Sequence, residues 1–216
     1  MFILYMCFNF ESSIASFVIG TIFILINFYV FRKNKLFSIV NIVWISPILM
    51  QLWESFIWKD IECELMTKLA FYTNILQPYL LLLFIPYFLK NNKKNKYKNF
   101  KLLIIGIVFL YYTYYISQYL NNDYKCIKFD NKIDLIWWKK PINNKPNYGG
   151  KIYFFSTIIL MFLLIDNNFI KYSQLFYFVL SVLLSFLFYK RKNYGSIWCL
   201  LACYAPIYNY ILFQLK

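Results

Sequence analysis

Apolar runs of about 15–21 residues, separated by short stretches rich in lysine, most restrict how this chain can fold. A helix rises about 1.5 Å per residue, so a run of that length covers most or all of the ~30 Å of hydrocarbon in a bilayer. Seven such runs can be placed, at about 12–31, 38–58, 69–89, 100–120, 151–165, 170–189 and 195–215, with a polar loop over 121–150. They predict an all-α fold: a polytopic bundle of seven transmembrane helices forming a single domain over residues 1–216. The first run lacks a basic leader and a small-residue cleavage site, so it reads as a span and not as a cleavable signal peptide. The fifth is the shortest and stops at Asp166-Asn167-Asn168. Pro78 and Pro206 lie inside spans and predict kinks. Trp137-Trp138 followed by Lys139-Lys140 has the composition of an interfacial anchor.

Composition supports the same class. The chain is 61% hydrophobic, against about 45–50% in soluble domains. Its net charge of +14 would suit nucleic acid only if the lysines shared one folded surface. They fall instead between apolar runs, where membrane topology needs them, so no nucleic-acid partner is expected. There is no histidine, which excludes His-based triads, His metal sites and imidazole relays. Five cysteines form no CxxC pair, and no metal or cofactor is implied. No phosphate-binding glycine loop and no nucleophile elbow occurs. The last run has no lysine before Lys216, so a retinal Schiff base is not expected. No catalytic residue can be named, and the balance is against an enzyme.

The distribution of basic residues sets the orientation. Arg32, Lys33 and Lys35 mark one loop as cytoplasmic, as do Lys90, Lys93, Lys94, Lys96 and Lys98. The loop 59–68 carries Asp60, Glu62 and Glu64 and reads as external. The N-terminus is then external and the C-terminus cytoplasmic, although the lysines of 121–150 and Lys190-Arg191-Lys192 run against this bias.

Glu54 is the one acidic residue well inside an apolar run. A carboxyl group near the middle of a bilayer costs about 2.5–3.5 kcal/mol on insertion scales. Pro47, Gln51, Glu54 and Trp58 fall within roughly 60° of one another on a helix. In the first run Asn9, Ser13, Ser16, Gly20 and Asn27 form a narrow stripe at the same spacing. Small residues at that spacing usually let helices approach closely. The candidate ligand or proton site is Glu54, with Gln51, Asn9 and Gln77 orienting it and Trp58 and Trp198 as walls. Cys7 and Cys199 both fall near the external end and are a candidate disulfide.

These residues carry a resemblance. Met6-Cys7-Phe8-Asn9 with Ser13, then Met50-Gln51 with Glu54 and Trp58, Leu76-Gln77-Pro78, and Ser196 with Trp198-Cys199 resemble the motifs of an uncharacterised family of multi-spanning membrane proteins found in large DNA viruses and in bacteria. Asp60 and Cys63 also fit its viral branch, while residues 100–190 match mainly in hydropathy. The resemblance implies a viral origin, a host or virion membrane, and one shared cluster at the external end. It implies no activity. Two functions are therefore carried forward. One is a membrane protein whose polar site binds a lipid headgroup or small polar ligand, or relays protons. The other is a membrane scaffold whose polar groups only hold helices together.

Overall fold

A computed structural model describes residues 10–92, 95–120, 149–188 and 201–214. All regular structure among them is helical, in the order α1 (Phe10–Val30), α2 (Lys35–Trp58), α3 (Cys63–Leu80), a 3-10 turn (Leu81–Phe84), α4 (Ile85–Asn91), α5 (Lys98–Leu120), α6 (Gly149–Leu164), α7 (Asn168–Phe188) and α8 (Ala205–Gln214). Among the described residues, four stretches are long and apolar enough to cross a bilayer: Phe10–Val30, Lys35–Trp58, Cys63–Asn91 and Lys98–Gln118. They overlie the first four runs of the sequence. The fifth run is a helix of 16 residues, about 24 Å long. α7 has 21 residues, but Lys171, Ser173 and Gln174 dilute its first two turns.

Local chemistry explains the breaks. Asn34 caps α2, its side chain accepting from the Phe37 N–H at 3.2 Å. The other end of α2 closes in a Schellman arrangement: Ile61 N–H bonds Phe56 O, and Asp60 N–H bonds Ile57 O. That motif needs a left-handed residue after the helix, and Asp60 takes it with φ 60°. The 3-10 turn follows from two prolines. Neither Pro78 nor Pro86 has an N–H to give the carbonyl four residues back, and the chain tightens between them. Asn167 begins α7, accepting from the Ile170 N–H at 3.1 Å.

The chain divides into two compact units, one of residues 1–76, 124–137 and 178–216, the other of 77–123 and 138–177. In the first unit α1 is built inside out. Its buried residues are Ser13, Ser16, Gly20, Ile24 and Asn27, whereas Val18, Ile22, Leu25, Tyr29 and Val30 are exposed. Water would favour the opposite arrangement, whereas a bilayer solvates the aliphatic face and leaves small and polar residues to pack against protein.

The stripe meets α2. Three contacts fix the register of this antiparallel hairpin. The Lys59 ammonium lies over the Phe10 ring, 4.7 Å from its centroid. A Cβ on Gly20 would stand 2.8 Å from Ile48 Cγ1. Asn27 Nδ2 donates to Asn41 Oδ1 at 3.0 Å. The helix α8 closes the unit at the other end. Asn27 Nδ2 also donates to the Pro206 carbonyl at 2.9 Å, and the Cys203 thiol donates to the Pro47 carbonyl at 3.3 Å. Around these bonds Ile24, Ile48 and Cys203 form a small apolar core, and Phe37 packs on Phe213 with ring centroids 3.7 Å apart.

In the second unit Asn92 Nδ2 donates to Asp166 Oδ2 at 2.6 Å. This bond brings the segment leading into α5 beside the segment leaving α6, so the two helices run antiparallel. Tyr79 ties α3 to α5, with its hydroxyl 3.2 Å from Thr113 Oγ1 and its ring edge-on to Phe109.

Candidate functional site

The turn Gln51–Ser55 is the most polar part of α2, and it is buried. Gln51, Glu54 and Ser55 are each at most 1% exposed. Residues three apart face one another on a helix, and Gln51 Nε2 donates to Glu54 Oε2 at 2.6 Å. Ser55 turns its hydroxyl to the Leu52 carbonyl at 2.6 Å. The Gln51–Glu54 bond uses one polar atom of each side chain. Gln51 Oε1 and Glu54 Oε1 are left buried with no hydrogen-bond partner among the described residues. The same holds for Trp58 Nε1, one turn further on, and for Ser13 Oγ in α1.

Ser13 belongs with them by register. With Phe10 opposite Lys59 and Gly20 opposite Ile48, Ser13 stands level with the Gln51–Ser55 turn. It is fully buried, while Ser16 nearby satisfies itself on the Ser12 carbonyl at 2.8 Å. Buried polar atoms almost always have a partner, and each unsatisfied one costs about 1–3 kcal/mol. Four lie here within two turns of one helical hairpin. Two are acceptors, one is an N–H donor, and the Ser13 hydroxyl can act either way. Glu54 is four residues from the end of α2, about 6 Å along the axis, which is headgroup depth for a spanning helix.

Gln77 is fully buried in the second unit, where its Oε1 accepts from the Tyr153 hydroxyl. Its Nε2 has no partner among the described residues. Asn9, Trp198, Cys7 and Cys199 lie outside the described residues, and with them the candidate Cys7–Cys199 disulfide. Among the described residues no group of three or more Cys, Asp or Glu side chains could hold a metal ion.

Two features were not read from the sequence as parts of a site. Ser13 was visible as one member of the small-residue stripe and of the N-terminal motif; its relation to Glu54 depends on the hairpin register. Cys63 is disulfide-bonded. Nothing in the sequence around Tyr153 pointed to Gln77. No protein-family model, no curated protein and no solved structure matches this chain.

Proposed function

We propose that this is a multi-pass integral membrane protein whose α1–α2 hairpin binds a polar, hydrogen-bond-donating group at Glu54, near the external surface. The observation that carries this reading is the set of buried polar atoms on Ser13, Gln51, Glu54 and Trp58 that have no partner among the described residues. Seven spans accommodate all the apolar runs, with the N-terminus external. The basic residues of the loops 32–37 and 90–99 support that orientation. The motif resemblance is consistent with the same cluster being a shared feature.

Two acceptor oxygens three residues apart suit a ligand with N–H donors. A lipid headgroup bearing a primary ammonium meets that need at the depth of Glu54, whereas a quaternary ammonium offers no N–H. Phosphatidylethanolamine should therefore raise the thermal midpoint of the detergent-extracted protein, and phosphatidylcholine with the same acyl chains should not. At a lipid concentration 100 times its Kd the stabilisation is about 2.7 kcal/mol. Glu54→Gln should remove this response. Equal shifts with both lipids, or an undiminished shift in the variant, would contradict the reading.

The scaffold reading also has a specific observation behind it. The Asn27–Asn41–Pro206 and Cys203–Pro47 bonds are buried polar contacts whose evident effect is to hold α1, α2 and α8 together. On that reading Glu54 would bind nothing, and its replacement would change stability alone.

A further inference from the structure

In the second unit the Asn92–Asp166 bond brings two lysines together. Lys101, one turn into α5, lies over the Phe88 ring of α4, its ammonium 6.0 Å from the centroid. Lys171, one turn into α7, lies over the Phe162 ring of α6 at 5.2 Å. The two ammoniums are within electrostatic reach of one another, and Asp166 is the carboxylate that faces Lys171. Asp166 is also the only acidic residue among the described residues of this unit, whereas Lys90, Lys96, Lys98, Lys101 and Lys171 all lie at this end of it.

We propose that Lys101 and Lys171 clasp the phosphate of an anionic phospholipid. Two like charges that the fold holds near each other repel. Asp166 offsets one of them, and one of its oxygens is already engaged by Asn92 at 2.6 Å. A phosphate supplies a second negative charge and acceptor oxygens for both ammoniums. Depth and flanking surface identify its source as a lipid. Lys101 and Lys171 are each the fourth residue of their helix, about 5 Å from its start, where long basic side chains reach the headgroups. Phe100, Phe162 and Tyr172 border the two lysines and are 62%, 49% and 58% exposed. Such an apolar border suits acyl chains and offers a free phosphate ion nothing. On the orientation proposed above, this end meets the cytoplasmic leaflet, where anionic lipids are concentrated. The site lies in the other unit from Glu54 and survives the failure of that reading.

The test is a native-mass titration of the full chain in detergent with phosphatidylglycerol and with phosphatidylcholine of identical acyl chains. Phosphatidylglycerol should bind the wild type about 25-fold more tightly, since each lysine beside an anionic headgroup contributes about fivefold. Lys101→Gln and Lys171→Gln should each cut the preference to about fivefold. The double variant should abolish it and leave the weaker binding of both lipids. Asp166→Asn keeps an oxygen for Asn92 and removes the competing charge, so it should strengthen the preference, a gain that damage to the fold would not produce. Equal binding of the two lipids by the wild type, or a weakened preference in Asp166→Asn, would overturn the proposal. So would Lys96→Gln lowering the preference as much as Lys101→Gln does, which would mean a diffuse surface charge. Displacement of phosphatidylglycerol by equimolar inorganic phosphate would also overturn it, because the site would then take the free ion.

Discussion

Gly20→Leu is expected to give little or no folded protein, the largest effect of any single change in the first unit. A Cβ at this position would stand 2.8 Å from Ile48 Cγ1 and 3.0 Å from the Cys203 carbonyl oxygen. The isoleucine can rotate away, but the backbone carbonyl cannot. Overpacking a close-packed core costs about 1–3 kcal/mol, and more where backbone must shift. Here the shift would also strain the Cys203–Pro47 bond and the Asn27–Pro206 bond, which close the same interface. Gly20→Ala should show the same defect in milder form. Gly106 is an internal control, since nothing lies within 4 Å of its Cβ position; Gly106→Ala should be neutral or stabilising. Monodisperse yield after extraction and the thermal midpoint check all three. A normal midpoint for Gly20→Leu would mean that α1 and α2 do not approach as described.

The second large effect concerns Gln51 and Glu54, and its sign pattern is more informative than its size. Gln51→Leu removes the one donor to Glu54 and leaves both carboxyl oxygens buried without a partner among the described residues. That should cost about 3 kcal/mol, or roughly 6–12 °C in thermal midpoint for a chain of this size. Glu54→Leu leaves only an amide unsatisfied and should cost less, about 1–2 kcal/mol. The double replacement removes both partners and should return to within about 1 kcal/mol of the wild type. Additive losses would show that the two side chains do not act as a pair.

Much of this was legible from the sequence, for physical reasons that can be named. Length and hydropathy are one-dimensional properties, so the first four runs could be placed to within a few residues of the helices that carry them. The stripe of α1 was legible because helical periodicity alone puts Ser13, Ser16, Gly20 and Asn27 on one face. The pairing of Gln51 with Glu54 was legible for the same reason. Contacts between helices were not. The level of Ser13 against Gln51–Ser55 depends on how the hairpin turns at residues 31–34, and hydropathy does not encode that register. The bond between Gln77 and Tyr153 was not legible either, because it forms through tertiary packing in the second unit. The 3-10 break depends on Pro86 acting together with Pro78, and only the effect of Pro78 was anticipated. The division into two units left no signal in a chain whose apolar runs look alike.

The most direct test of the central claim, a polar binding site at Glu54, is the intact native mass of the gently extracted protein beside its Glu54→Gln variant. The site as described predicts a discrete co-purifying mass on the wild type that is absent from Glu54→Gln. A bare polypeptide in both, with the Glu54 variant differing only in stability, would contradict the binding site and leave the buried polar groups of α1 and α2 as a means of holding helices together.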